Sequence, residues 1–229
     1  MKGVSIKELY TLEETMAGEF LSGFEYPWEA LKEIGYLIKK LGPHLDPDIY
    51  EKRGDNIWIA RSAKVWPTVS VTGPCIIGER TEVRQCAFIR GNALVGDDCV
   101  VGNSTELKNV ILFNHVQVPH YNYVGDSILG FYSHMGAGSI TSNVKSDKQL
   151  VVVKDYETGE KAETGLKKFG AMLGDHVEVG CNTVLNPGTV VGRNTNIYPV
   201  SCVRGVIPAD SIFKKQDCVI KKEERGRKW

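Results

Sequence analysis

The sequence predicts a mainly β chain, wound as a parallel β-helix of hexapeptide repeats, with a helical amino-terminal segment and one inserted hairpin loop. Three observations carry this. An aliphatic residue recurs every six positions at Ile59, Val65, Val71, Ile77, Val83, Ile89, Val95, Val101 and Leu107. A small or β-branched residue often stands four positions later, as at Ala63, Val69, Cys75, Thr81, Ala87, Ala93, Cys99 and Thr105. Glycine often follows the aliphatic residue directly, as at Gly78, Gly96, Gly102, Gly125, Gly136 and Gly180. With an aliphatic residue at roughly one position in four, nine in phase by chance is an event on the order of 10⁻⁵ to 10⁻⁶.

Each hexad reads as one short strand and one sharp turn. The aliphatic residue fills the interior and the small residue fits beside it near a corner. Glycine and asparagine (Asn103, Asn194) suit the positive φ that tight corners demand. Three hexads close a coil of about 18 residues, and coils stack at roughly 4.8 Å, the ordinary strand spacing. A coil cannot bury its own face, so stability comes from its neighbours. Residues 57–207 supply roughly six or seven coils once an insertion is removed, enough for a continuous core.

Residues 1–50 lie outside the repeat and predict a helical cap. Thr11 and Glu14 have capping-box spacing, and Pro27 suits a first helical position. Trp28, Leu31, Ile34, Leu37, Ile38 and Leu41 share one helical face, which Gly42-Pro43 ends. The segment is expected to cover the first coil. Residues 51–210 form the β-helix, and residues 211–229 a last strand and basic tail.

The period slips between residues 109 and 129, restarting at Leu112, Val118, Val124, Leu129 and Met135. A second break covers residues 142–172, where Val151-Val152-Val153 and the stretch after Thr158-Gly159-Glu160 read as two arms of a hairpin. Long insertions in a compact solenoid tend to be functional. This one carries Lys145, Lys148, Lys154, Lys161, Lys167 and Lys168, either a solvated basic loop or a phosphate contact. Lys221-Lys222 and the run from Arg225 to Lys228 read as a solvated tail.

Composition narrows the function. The 229 residues carry 28 basic and 28 acidic side chains, which gives no reason to expect nucleic acid or an anionic membrane as partner. No apolar run approaches the ~20 residues of a membrane span, and Met1-Lys2-Gly3-Val4-Ser5 opens no signal-peptide core. The six cysteines show no metal-binding spacing. A reduced, cytoplasmic setting with no structural metal is the expectation.

His120 lies off the aliphatic phase in Val118-Pro119-His120-Tyr121-Asn122-Tyr123-Val124-Gly125-Asp126-Ser127, so its ring should point outward. Downstream stands Met135-Gly136-Ala137-Gly138-Ser139-Ile140-Thr141-Ser142-Asn143. These runs, with Arg90 and Thr105-Glu106-Leu107-Lys108, resemble the acetyltransferase domain of the bifunctional sugar-1-phosphate nucleotidyltransferase/acetyltransferases, whose best-known members make UDP-N-acetylglucosamine. The resemblance covers residues 83 to 207. Tyr26-Pro27-Trp28 and Thr164-Gly165-Leu166-Lys167-Lys168-Phe169-Gly170 resemble one subgroup of that family.

The resemblance implies a left-handed helix, the form hexad proteins adopt, and a homotrimer with sites between subunits. It implies an acetyl-coenzyme A-dependent N-acyltransferase acting on an amino-sugar-1-phosphate or a nucleotide amino sugar. His120 matches the catalytic base, because a neutral imidazole can take the proton of an amine attacking a thioester. Glu106 matches the carboxylate that orients it. Arg90, Lys108, Tyr123 and Asn143 match contacts to the sugar phosphate, the two cations suiting a dianion. Backbone amides around Ala137 match an oxyanion and acyl-donor site, and Cys181 and Pro199 match coenzyme A contacts on the next coils.

This chain departs from the family at His134, where asparagine is usual, at Cys181, where serine is common, and at Val144, which replaces a tyrosine. Only Lys214 and Lys215 lie near the late cationic coenzyme A contact. There is no Gly-x-Gly-Thr-Arg loop near the amino end, so nucleotidyl transfer is not expected. Two rivals stay open. A sugar-phosphate-binding or regulatory trimer would keep the site without turnover. A γ-class carbonic anhydrase would use His115 and His120, but needs a third protein ligand, and no histidine lies between His44 and His115.

Overall fold

The computed structural model describes residues 1–216 and 218–223. The repeat folds as a left-handed β-helix with three parallel-stranded faces. The first face runs Ile57–Ala60, Cys75–Ile77 and Ala93–Val95, then Ala171–Leu173, Thr189–Val191 and Val206–Ile207 beyond the insertion. The second holds Lys64–Val65, Glu82–Val83, Val100–Asn103, Gln117–His120, His134–Met135 and Glu178–Val179. The third begins Ser70–Val71 and Phe88–Ile89 and ends Ile140–Thr141, Val184–Leu185 and Cys202–Val203. The in-phase aliphatics Ile77, Val83, Ile89, Val95, Val101 and Leu107 are fully buried, as is Leu112 where the period restarts, and they form the solenoid core.

The phase slip has a structural cause. Two seven-residue strands, Glu106–Leu112 and Tyr123–Leu129, run round one corner and pair along their length, joining the first face to the third. Leu107 and Leu112 are both buried, although only five positions apart. One residue is missing from each of these corners, relative to Arg90-Gly91-Asn92-Ala93 on the coil before. Asn109 and Asp126 take the left-handed conformation there, at φ 56° and 48°.

Glycine plays a different part from the one its conformational freedom suggests. The glycines after the aliphatic residues do not have positive φ; the left-handed corners hold residues such as Ser104, Tyr121 and Asn194 instead. What those glycines supply is room. A Cβ on Gly136 would stand 2.7 Å from the Cys181 amide on the next coil.

The amino-terminal segment packs along the side of the solenoid, not over its first coil. A 3-10 helix Pro27–Lys32 and an α-helix Ile34–Leu41 bury Trp28, Leu31, Ile34, Leu37 and Ile38. The helices lie against the strands around Ala93–Val95, Glu106–Leu112 and Tyr123–Leu129. Their apolar face fits that side because the long strands present a continuous buried surface there. Thr11 does not cap a helix with Glu14. Its N–H and hydroxyl both donate to Asp175 at 2.8 Å, tying the segment to the solenoid. The first coil is covered by Tyr50–Gly54, antiparallel to Ile57–Ala60. At the far end Ser211–Lys215 pairs antiparallel with Cys218–Lys221, and the run from Arg225 to Lys228 lies outside the described residues.

The insertion is a hairpin of Val152–Lys154 and Lys161–Glu163. Among the described residues no helix is long and apolar enough to cross a membrane.

Candidate active site

Stacking turns sequence spacing into columns. Asn103 pairs with His120. Gly138 then donates its N–H to His120 O, Asn182 to Ala137 O and Val200 to Cys181 O, at 2.8 to 3.0 Å. His120, Ala137, Cys181 and Pro199 therefore occupy equivalent places on successive coils, along the corner between the second and third faces. His120 and Cys181 are exposed. Lys214 stands at this end, its ammonium 6.0 Å from the Tyr198 ring beside Pro199, within cation–π range.

Asn122 holds this corner in shape. Its side chain is 3% exposed. Its Oδ1 accepts the His120 N–H at 3.0 Å, and its Nδ2 donates to Gly136 O at 2.9 Å and Ser139 O at 3.0 Å. One buried amide thus joins the His120 turn to the turn carrying Ala137. Buried amides of this kind are costly unless fully paired, and this one is paired on both sides.

The second cluster is on the third face and its corner with the first. Arg90 Nη1 meets Glu106 Oε1 at 2.8 Å, and that bond holds the guanidinium above its ordinary pKa. Lys108 Nζ lies 2.9 Å from Asp126 Oδ1. Asn143 Nδ2 donates to Tyr123 Oη at 3.1 Å and to Asp126 Oδ2 at 2.6 Å. Burial first, then the charges of Asp126 and Glu106, push the Tyr123 phenol above its usual pKa, so it stays protonated. The Arg90–Glu106 pair and the Lys108–Asp126–Asn143–Tyr123 group are thus brought side by side, Glu106 pairing with Tyr123 along the main chain.

Glu106 is engaged by Arg90, and no side-chain hydrogen bond joins it to His120 among the described residues. The histidine lies on the corner, while Glu106 stacks beneath Tyr123 on the third face. Two residues of the site escaped sequence reading. Asp126 is 4% exposed and is the hub for Lys108, Asn109 and Asn143. Its signal was an acid at the foreshortened corner. The signal for Asn122 was a long polar side chain in a column otherwise made of Ala87, Thr105 and Ser139.

His115 does not meet His120. It sits on another corner, stacked on Tyr132 at 4.5 Å, with Tyr132 in turn stacked on His176 at 5.7 Å. His134 pairs with Glu178 at 2.8 Å. Among the described residues no group of three or more His, Cys, Asp or Glu side chains is placed to hold a metal ion.

A profile of the GMPPB C-terminal domain matches residues 71–194. The bifunctional protein GlmU of Methanococcus vannielii is 33% identical over 199 residues, 86% of this chain and 47% of that protein. A bifunctional sugar-1-phosphate nucleotidylyltransferase/acetyltransferase of Sulfurisphaera tokodaii is 29% identical over 230 residues, 92% of this chain and 57% of its own length. The chain spans about half the length of the curated relatives it matches. Among solved structures, PerB from Caulobacter crescentus, in complex with CoA and GDP-perosamine, aligns over 86% of this chain and 75% of that one, at 17% identity and a TM-score of 0.38.

Proposed function

The chain belongs to the GMPPB C-terminal domain family, and from that premise we propose that it is an acetyl-coenzyme A-dependent N-acyltransferase acting on a phosphorylated amino sugar. The observation that carries the reading is the corner column of His120, Ala137, Cys181 and Pro199, beside a polar network containing two cations. A base, a donor track and an anion-binding cluster are the three parts that acyl transfer to such an acceptor needs.

In this reading the acceptor phosphate rests against Arg90 and Lys108, with Tyr123 and Asn143 as hydrogen-bonding partners. Its amine faces His120. The nitrogen attacks the thioester carbonyl carbon while the neutral His120 imidazole takes the amine proton. The carbonyl oxygen gains charge and is stabilised by backbone amides around Ala137. Collapse breaks the carbon–sulfur bond, and the coenzyme A thiolate leaves and receives the proton. Glu106 supports the acceptor side by fixing Arg90. The acyl donor lies along Ala137, Cys181 and Pro199, with Lys214 the nearest cation beyond.

The site is proposed to be completed in a homotrimer. Flat solenoid faces suit a closed three-fold ring, and exposed Tyr121 and Val200 flank the His120 column, at 62% and 80% exposure. Light scattering should give three times the chain mass, and a stable monomer at micromolar concentration would contradict a shared site.

The deciding experiment is thiol release from acetyl-coenzyme A with a panel of amino-sugar phosphates and nucleotide amino sugars. His120→Ala should lower the rate by about 10²- to 10⁴-fold, the usual loss of a general base, with trimer and fold kept. Equal rates for wild type and His120→Ala would overturn the mechanism. Binding of these compounds with no turnover in wild type would favour the regulatory trimer.

A further inference from the structure

The acceptor network does not end at Asn143. A groove of about 440 Å³ opens on the same coil, between the inserted hairpin and the solenoid wall. Ser142, Lys145, Asn186 and Arg204 line one side and Lys154 and Tyr156 the other. We propose that this groove is a nucleotide site, holding the diphosphate of a nucleotide-linked amino sugar whose sugar lies at the acyl-transfer corner. Its assignment to the acceptor rests on the acyl-transfer reading.

The groove is built by close packing. Gly205 has φ 74°, and a Cβ there would run into Lys154 O and stand 2.7 Å from the Tyr156 ring. A Cβ on Gly188 would stand 2.7 Å from Val151. These two glycines let the hairpin seat directly on the solenoid, and so bring Lys154 and Tyr156 beside Arg204. Lys145 is paired with Asp147 at 3.1 Å. Lys154 and Arg204 have no ion-pair partner among the described residues. Two cations without ion-pair partners on touching backbones repel each other. With Asp147, the carboxylate in the lining, paired to Lys145, the groove keeps a net positive charge that attracts a counter-ion. Ser142 adds a hydroxyl that can donate a hydrogen bond, while the Asn186 amide donates to Cys202 Sγ and Val203 O, so its side-chain oxygen faces the groove only as an acceptor.

Length and shape select a nucleotide over a simple phosphate. Ser142 donates its N–H to Leu185 O, and Asn186 to Val203 O. Arg204 thus follows Ser142 by two coils, about 10 Å at the ordinary strand spacing. A sugar-1-phosphate would end at Lys108 and Asn143. A diphosphate and ribose would cover the added distance and reach Tyr156, whose ring is 60% exposed and available to stack on a base.

Calorimetry at low ionic strength with UDP, GDP and 3′,5′-ADP tests this without turnover. The proteins are wild type, the Lys154→Gln/Arg204→Gln double variant and Tyr156→Leu. All substituted side chains are exposed, and matching melting curves establish that the fold is kept. UDP or GDP is expected to bind wild type and to weaken at least tenfold in each variant, with 3′,5′-ADP unaffected. Equal affinities across the three proteins, or no binding of UDP or GDP to wild type, would overturn the site. Weakening confined to 3′,5′-ADP would assign the groove to the acyl donor and overturn the acceptor assignment. A chain that binds UDP or GDP as expected yet acetylates nothing keeps the nucleotide site and loses the acyl-transfer reading.

Discussion

The two carboxylate oxygens of Asp126 lie 2.9 and 3.0 Å from the Lys108 ammonium. The same carboxylate receives Asn109 and Asn143. A residue that sequence comparison offers as a phosphate contact is therefore held from behind by a buried acid, which fixes where its charge can go.

Asp126→Asn should disturb the acceptor site more than the chemistry. The substitution removes the charge that Lys108 faces and one of the acceptors of Asn143. Loss of a hydrogen-bonded ion pair costs about 1–3 kcal/mol where one partner keeps some solvent. The acceptor KM should rise at least fivefold while the KM for acetyl-coenzyme A holds. A variant with unchanged acceptor KM would show that Asp126 serves the fold alone.

Asn122→Ala should act on turnover through geometry. It leaves the His120 N–H and the Ser139 carbonyl without this partner, while Gly136 O keeps the Ser139 N–H and hydroxyl, a loss of about 1–3 kcal/mol. A shift near 1 Å in a reacting group can cost 10²-fold in rate. Kinetics should show kcat down by about 10- to 100-fold with both KM values within a factor of three. Ser139→Ala keeps the Ser139 carbonyl, so it should retain most of the rate. Equal losses in the two variants would mean that the amide is not the clamp.

The repeat, the three faces and the interior aliphatics were legible because one physical demand, filling a narrow core, recurs every six residues. The slip was legible too, but its meaning was not. Period counting shows that Leu107 and Leu112 are out of step, not that the missing residue sets Asp126 beside Lys108. The Ala137–Cys181–Pro199 column was readable because main-chain stacking repeats with the coil. Side-chain pairing does not repeat in this way, and so Glu106 is found on Arg90 rather than on His120. The position of the amino-terminal helices was hidden for a similar reason. Their apolar stripe says that they are buried, not on which part of the solenoid.

Thiol chemistry should separate the proposed donor corner from the core. Cys86, Cys181 and Cys202 are exposed, whereas Cys75 and Cys99 are buried. Burial pushes both core thiols up to about 12, and only a thiolate attacks an alkylating agent. N-ethylmaleimide at pH 7 should therefore label the three exposed cysteines and spare the two in the core. Cys218 is half-exposed, so in a Cys86→Ser/Cys202→Ser/Cys218→Ser background labelling of Cys181 should block acetyl transfer, and bound coenzyme A should slow the labelling. Cys181→Ser should stay active and resist the reagent. Full activity after complete labelling of Cys181 would remove that residue from the donor track.

Alkaline pH should weaken the fold through the same two core thiols. Their pKa is about 12 when folded, against a reference of 9.0. A raised folded pKa means that the stabilising contribution is whole below the unfolded value and is lost as pH climbs toward the folded one. Between pH 9 and 10 the unfolded chain gains thiolate while the folded chain does not, costing about 1 kcal/mol per thiol. Tyr50, raised to about 12 from 10.0, first by burial and then by Asp97, adds a smaller part of the decline near pH 10 and most of its part above it. Denaturant unfolding at pH 8, 9 and 10 should show this loss in wild type. Cys75→Ala/Cys99→Ser should start lower, because Cys75 fills the core, but fall less steeply over the window. Cys99→Ser can keep the bond that Cys99 Sγ donates to Phe113 O. Parallel declines in the two proteins would show that some other group governs alkaline stability.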